Sequence, residues 1–151
     1  MRLGLKLALL GIMFSSVACQ TKHKRMKEII NTPSAPSAIG PYSQAVKVNG
    51  TLYCSGQIAL IPETGELLKG SVVDETRQVL KNVGAVLEAA GMNYSNVVKV
   101  SIFMADMNDY AAINDVYATF FVENPPAREA VAVKTLPKNV RVEISVIAKE
   151  D

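Results

Sequence analysis

Histidine is almost missing from this sequence. The 151 residues contain one, His23, inside the polar stretch "QTKHKR". Histidine general bases, Ser-His-Asp arrangements and His-ligated metals are therefore excluded from anything that folds beyond it. Cysteine is nearly as scarce. Cys19 and Cys54 fall in different regions, too few for a disulfide framework, and no Cys/His spacing matches a zinc site. Surplus positive charge is lacking too. Without Arg2, Lys6, Lys22, Lys24 and Arg25, the sixteen basic residues fall to eleven against fourteen acidic ones, a formal −3 from Met26 onward. Nucleic-acid binding normally demands the opposite balance, so a polyanionic partner is disfavoured. There is also no internal repeat and no low-complexity segment.

What is present begins with "MRLGLKLALLGIMFSSVACQ", a basic start, an apolar run from Leu7 to Phe14 and small residues leading to Cys19. The run is too short to span a bilayer as a helix and has the proportions of a secretory signal. It resembles a bacterial lipoprotein signal, with Ser16 where leucine is usual. On this reading residues 1–18 are the signal, Cys19 carries the lipid, residues 19–26 form a short tether and the protein faces the periplasm as an anchored lipoprotein. The alternative is translation from Met26 and a cytoplasmic protein. With 49% hydrophobic residues, the remainder has material for one globular domain over 27–151.

Local patterns outline that domain. "MKEIIN" is a short strand, and the prolines of "TPSAPSAIGP" enforce a loop. Asn49-Gly50 between two β-rich runs predicts a hairpin pairing residues near 43–48 with 51–58, because both residues tolerate the positive φ of a tight type I′ turn. From Ser71 to Gly91 apolar residues recur at helical spacing, with Ser71 and Asp74 as a capping box and Gly91 as a C-terminal cap. "NVVKVSIFMAD" reads as a strand, about Asp109 to Phe121 as a second helix, and "REAVAVKTL" and "NVRVEISVIAK" as two further strands. The order β-β-β-α-β-α-β-β implies an α+β fold, a mixed sheet with both helices on one face.

The last strand carries an oddity. Val140, Val142, Ile144 and Val146 share one side, which must meet the helices, while Arg141, Glu143, Ser145 and Ile147 share the other. A carboxylate inside an apolar run is costly unless paired or used. Pairing with Arg141 or Lys149 is the ordinary explanation. The half-apolar face around Glu143 has no helix of its own, which predicts cover from a second subunit and a site at that boundary.

"AIGPYSQAV", "SGQI", "GMNYSNVVKVSIFMADMNDYAAINDVYATFF" and "PPAREAVAV…LPKNVRVEISVIA" together closely resemble the RidA family (YjgF/YER057c/UK114), in order and spacing from about Lys27 to Lys149. The resemblance implies a chorismate-mutase-like homotrimeric barrel with clefts between subunits. It implies hydrolysis of 2-imino acids or their enamine tautomers, such as 2-iminobutanoate and 2-iminopropanoate, to 2-oxo acids and ammonia. It further implies that Arg128 grips the substrate carboxylate, that Glu143 stands near the attacking water, and that Tyr42, Ser55, Gly56 and Asn114 line the cleft. Ala130 occupies a position that is often cysteine in relatives.

The residue inventory agrees with that chemistry. A guanidinium can hold a carboxylate by two parallel hydrogen bonds. A protonated C=N carbon is already electrophilic, so no metal, cofactor or covalent nucleophile is required, and a partly desolvated carboxylate suffices to handle the protons. Guanidinium and carboxylate are expected from two neighbouring strands or from two subunits. Cys54 is read as a small buried apolar residue. Two other functions stay open at this point: a non-catalytic module binding carboxylates or 2-oxo acids, and a ribonuclease or translation inhibitor.

Overall fold

The computed structural model describes residues 27–151; Cys19, His23 and the proposed signal and tether lie outside them. Six strands form one sheet: β1 (Lys27–Ile30), β2 (Ala45–Val48), β3 (Thr51–Cys54), β4 (Val97–Met104), β5 (Ala127–Ala132) and β6 (Val142–Lys149). Two helices, α1 (Val72–Ala89) and α2 (Tyr110–Ala118), complete it. The spatial order is β1-β2-β3-β6-β4-β5, with β4 and β5 parallel and every other pair antiparallel. This is the expected α+β architecture, with β6 inserted centrally between β3 and β4.

Topology explains why both helices share a face. The connection from β3 to β4 runs through α1, and that from β4 to β5 through α2. Both join parallel strands and step toward the same edge. Right-handed crossovers stepping the same way deposit their helices on the same side.

Local chemistry sets the element ends. Asn49 and Gly50 have φ of 51° and 71°, as the β2–β3 turn requires. The hairpin is shorter than expected: its paired strands end at Ala45 and Cys54, Ser55 N–H adds one bond to the Gln44 carbonyl, and Gln57 then bridges Ile144 of β6 instead. At α1, Ser71 Oγ accepts from Asp74 N–H while the Asp74 carboxylate accepts from Ser71 N–H. At its other end Gly91 (φ 73°) donates to the Glu88 carbonyl and Met92 to that of Leu87, the paired bonds of a Schellman cap.

The core lies between helices and sheet. Val79, Val83, Val86 and Leu87 of α1 are fully buried against Val142, Ile144, Val146 and Ala148 of β6. Buried amides brace the loops beyond the sheet. The Gln44 side chain accepts from Thr32 N–H at 2.7 Å, and its Nε2 lies within 3.1 Å of the carbonyls of Thr32, Ala35 and Pro36. Asn82 Nδ2 donates to the carbonyls of Ile58 and Leu60 at 3.0 and 2.9 Å. Loops built this way act as walls rather than as free chain.

The other sheet face has no helix. Tyr53 (51% exposed) and Val131 (42% exposed) stand on it, with Phe103, Ser145 and Ile147 half-covered. Exposed apolar groups on one face of a sheet are the surface that association covers.

Candidate active site

Glu143 projects from β6 onto the open face, opposite Phe103 of β4. The pairing anticipated with Arg141 does not form. Arg141 sits in a bend just before β6, and its backbone N–H and guanidinium both go to Glu75 of α1, with Nη2–Oε1 at 2.7 Å. Nor does Lys149 reach Glu143; it donates to the Asn49 carbonyl. Among the described residues Glu143 has no hydrogen-bond or ion-pair partner, and burial pushes its carboxyl above the usual carboxylate range. A carboxylate with a raised pKa and free lone pairs is suited to taking a proton from water near neutrality.

The carboxylate opens into a cleft of about 430 Å³. Four segments build it, Pro137 closing one edge from the turn before β6. The braced 32–44 loop contributes Ile39, Tyr42 and Gln44, the segment after β3 contributes Ser55, Gly56 and Ile58, and β6 contributes Glu143. Ser55 Oγ donates to the Ser43 carbonyl at 2.7 Å and Tyr42 Oη accepts from Ile39 N–H at 3.2 Å, so the two polar walls are tied to the same loop. Gly56 is required by close approach. A Cβ there would lie 2.7 Å from the Glu143 carboxylate carbon. Cys54 takes no part: it is buried and its thiol is pushed up to about 12, so it stays protonated, in keeping with its reading as a core residue.

Arg128 lies elsewhere. It is level with Val100 of β4, on the face that the helices cover, and its guanidinium runs beneath α2. Nη1 donates to Asn114 Oδ1 at 2.8 Å and Nη2 to Tyr110 Oη at 3.0 Å, while Cζ stacks 4.7 Å from the Tyr117 ring centre. Among the described residues no carboxylate neutralises it. Glu129, its neighbour in sequence, alternates to the open face and pairs with Lys99 and Ser101 at 2.9 and 2.6 Å.

The expectation that Arg128 and Glu143 reach one another from neighbouring strands is therefore wrong. β4 lies between β5 and β6, and the two side chains point to opposite faces. Two strand spacings of about 4.8 Å and three residues of about 3.3 Å separate their positions, with the sheet itself in between. Tyr42, Ser55, Gly56 and Glu143 form one group, Arg128 and Asn114 another. Sequence reading missed Tyr110 and Tyr117. Tyr110, Asn114 and Tyr117 at i, i+4 and i+7 form a polar-aromatic stripe that was there to be seen.

Fold and cleft define a class: α+β proteins whose one-sided sheet carries a cleft with a single carboxylate, Glu143, in its described wall. The family model described as Endoribonuclease L-PSP matches residues 32–150, and the chain belongs to that family, the RidA/YjgF family its motifs resemble. It is 52% identical over 126 residues to a RutC family protein of Pyrococcus horikoshii, covering 83% of this chain and all of that one. It is 50% identical over 123 residues to the 2-iminobutanoate/2-iminopropanoate deaminase of Mus musculus, covering 82% and 91%. Among solved structures, RidA from an Antarctic Psychrobacter superposes with a TM-score of 0.79 at 44% identity, over 82% of this chain and 99% of that one. Escherichia coli TdcF with bound serine gives 0.79 at 43%, with the same coverage.

Proposed function

We propose that this chain hydrolyses 2-iminobutanoate and 2-iminopropanoate to 2-oxo acids and ammonia. The observation that carries the reading is Glu143, an unpartnered carboxylate of raised pKa facing a cleft. Relatives about 50% identical are named as deaminases of these imines, and a related structure holds serine, whose carboxylate is of the kind that Arg128 would grip. Water adds to the protonated C=N carbon while Glu143 takes one of its protons. The resulting carbinolamine receives that proton on nitrogen, the C–N bond breaks as ammonia leaves, and Glu143 takes the hydroxyl proton as the carbonyl forms. The family model's description as an endoribonuclease suits the chain less well, since the described residues contain no histidine and the formal charge from Met26 onward is −3.

Arg128 and Glu143 reach one substrate only if they come from different copies. The reading therefore includes a homotrimer whose open sheet faces close into a barrel, each cleft taking Arg128 from one subunit and Glu143 from the next. The bare apolar face and the unneutralised guanidinium support this arrangement. Mixing the two inactive variants Arg128→Ala and Glu143→Gln, unfolding and refolding them together, tests it. Random trimers should recover about a quarter of wild-type deaminase activity, because one cleft in each mixed trimer is intact. No recovery from variants that do mix would show that both groups act within one subunit, and absence of imine hydrolysis by the wild type would sink the function itself.

The lipoprotein arrangement belongs to this proposal as well, on the sequence pattern of residues 1–19. No helix among the described residues is long and apolar enough to cross a membrane; the anchor proposed is the lipid on Cys19. Intact-mass measurement of the N-terminus from membrane and soluble fractions should find a lipidated Cys19 start. An unmodified chain starting at Met26 would instead favour the cytoplasmic alternative.

A further inference from the structure

Arg128 is held more tightly than a surface arginine needs. Asn114 takes one proton of Nη1 and Tyr110 one proton of Nη2, while the Tyr117 ring supports the guanidinium plane. Five N–H donors minus these two leave three, enough for a side-on or end-on grip of a carboxylate. The Tyr110 bond has a directional consequence. A phenol has a single proton, and an oxygen accepting from a cation must turn that proton away from it. Tyr110 is 40% exposed, so its proton is not consumed by the core. Its backbone is fixed as well. It is the first residue of α2, directly after a 3-10 turn that Asp106 caps by accepting from Asn108 N–H at 2.9 Å.

Building on the proposed deaminase reading, we propose that Tyr110 is a specificity-determining residue. Its hydroxyl accepts from Arg128 Nη2 and donates its own proton to the substrate carboxylate, adding a hydrogen bond to the arginine's grip. It thereby discriminates charged 2-oxo and 2-imino acids from their neutral amides. The chemistry follows from sharing one oxygen. The more firmly Arg128 donates to the phenol, the more strongly its O–H bond is polarised and the better it hydrogen-bonds to an anion. An amide oxygen, carrying no full charge, gains much less from it.

The test is Tyr110→Phe, which keeps the ring and its packing and removes only the hydroxyl. Titration calorimetry with 2-oxobutanoate should show affinity weakened about tenfold, while binding of 2-oxobutanamide changes less than about twofold. KM for the imine should rise in step with the 2-oxobutanoate effect, with kcat nearly unchanged and the melting temperature preserved. Equal loss for acid and amide, or no loss for either, overturns the proposal. Arg128→Ala run alongside separates the two levels. If it abolishes acid binding while Tyr110→Phe binds normally, only Tyr110 is misassigned, whereas if it too binds normally, the carboxylate is gripped elsewhere and both readings fall.

Discussion

Replacing Glu143 by glutamine should lower kcat for imine hydrolysis by about 10²–10⁴-fold, the range a positioned general base contributes. The substitution keeps shape and removes only the ability to take a proton. Substrate affinity should therefore hold, with 2-oxobutanoate binding within about twofold of wild type. The wild-type pH profile should show an acid limb above the ordinary glutamate value of about 4.3, since burial raises the Glu143 pKa, and that limb should vanish in the variant. Stability should move the other way. A carboxyl with a raised native pKa holds its proton in the folded state at pH values where the unfolded chain has released it. Stability then falls as pH rises through that window. Glu143→Gln escapes this cost, so it should melt no lower than wild type at about pH 7.5, with the difference fading below about pH 4. A variant that kept wild-type kcat would remove Glu143 from the chemistry.

Gly56→Ala should cost nearly as much activity, about 10²-fold or more, though it adds a single methyl group and no charge. That methyl would lie 2.7 Å from the Glu143 carboxylate carbon, closer than unbonded carbons approach, so one of the two must give way. Gly56 is not free to yield. Its neighbours are held by Ser55 N–H donating to the Gln44 carbonyl at 3.0 Å, and by Gln57 exchanging bonds with Ile144 at 2.8 and 3.0 Å. The carboxylate must swing away, and misplacement of about an ångström is enough to lose two orders of magnitude. A double-mutant cycle makes the argument specific. If the methyl acts only through the carboxylate, adding Gly56→Ala to Glu143→Ala should produce almost no further loss. Full activity in Gly56→Ala, or additive losses in the double variant, would place the glycine's role elsewhere.

Much of this was legible because it depends on short-range chemistry. Ser71, Asp74 and Gly91 mark the ends of α1 through caps that need only adjacent residues. Asn49-Gly50 marks the hairpin through two positive φ values. The alternation along "VRVEISVIA" reveals from period alone that Glu143 turns from the helices. The hairpin's far strand was drawn too long for a related reason. Nothing local in "CSGQI" announces where the hairpin ladder stops, since what takes Gln57 away from β2 is a bridge to Ile144, distant in the chain. Arg141 misled in the same way. Alternation assigns it to the side of Glu143, but a bend before β6 and the attraction of Glu75, 66 residues upstream, carry it to α1.

By itself the sequence determined which residues are chemically able to act and that Glu143 turns away from the helices, since composition and the two-residue period of a strand are properties of the chain alone. Tertiary structure decided who meets whom. It inserted β6 between β3 and β4, set Gly56 over Glu143, and left Arg128 on the far side of the sheet under Tyr110 and Asn114. Those relations rest on contacts between segments tens of residues apart, whose energies depend on the whole packed arrangement and are written in no local stretch of it.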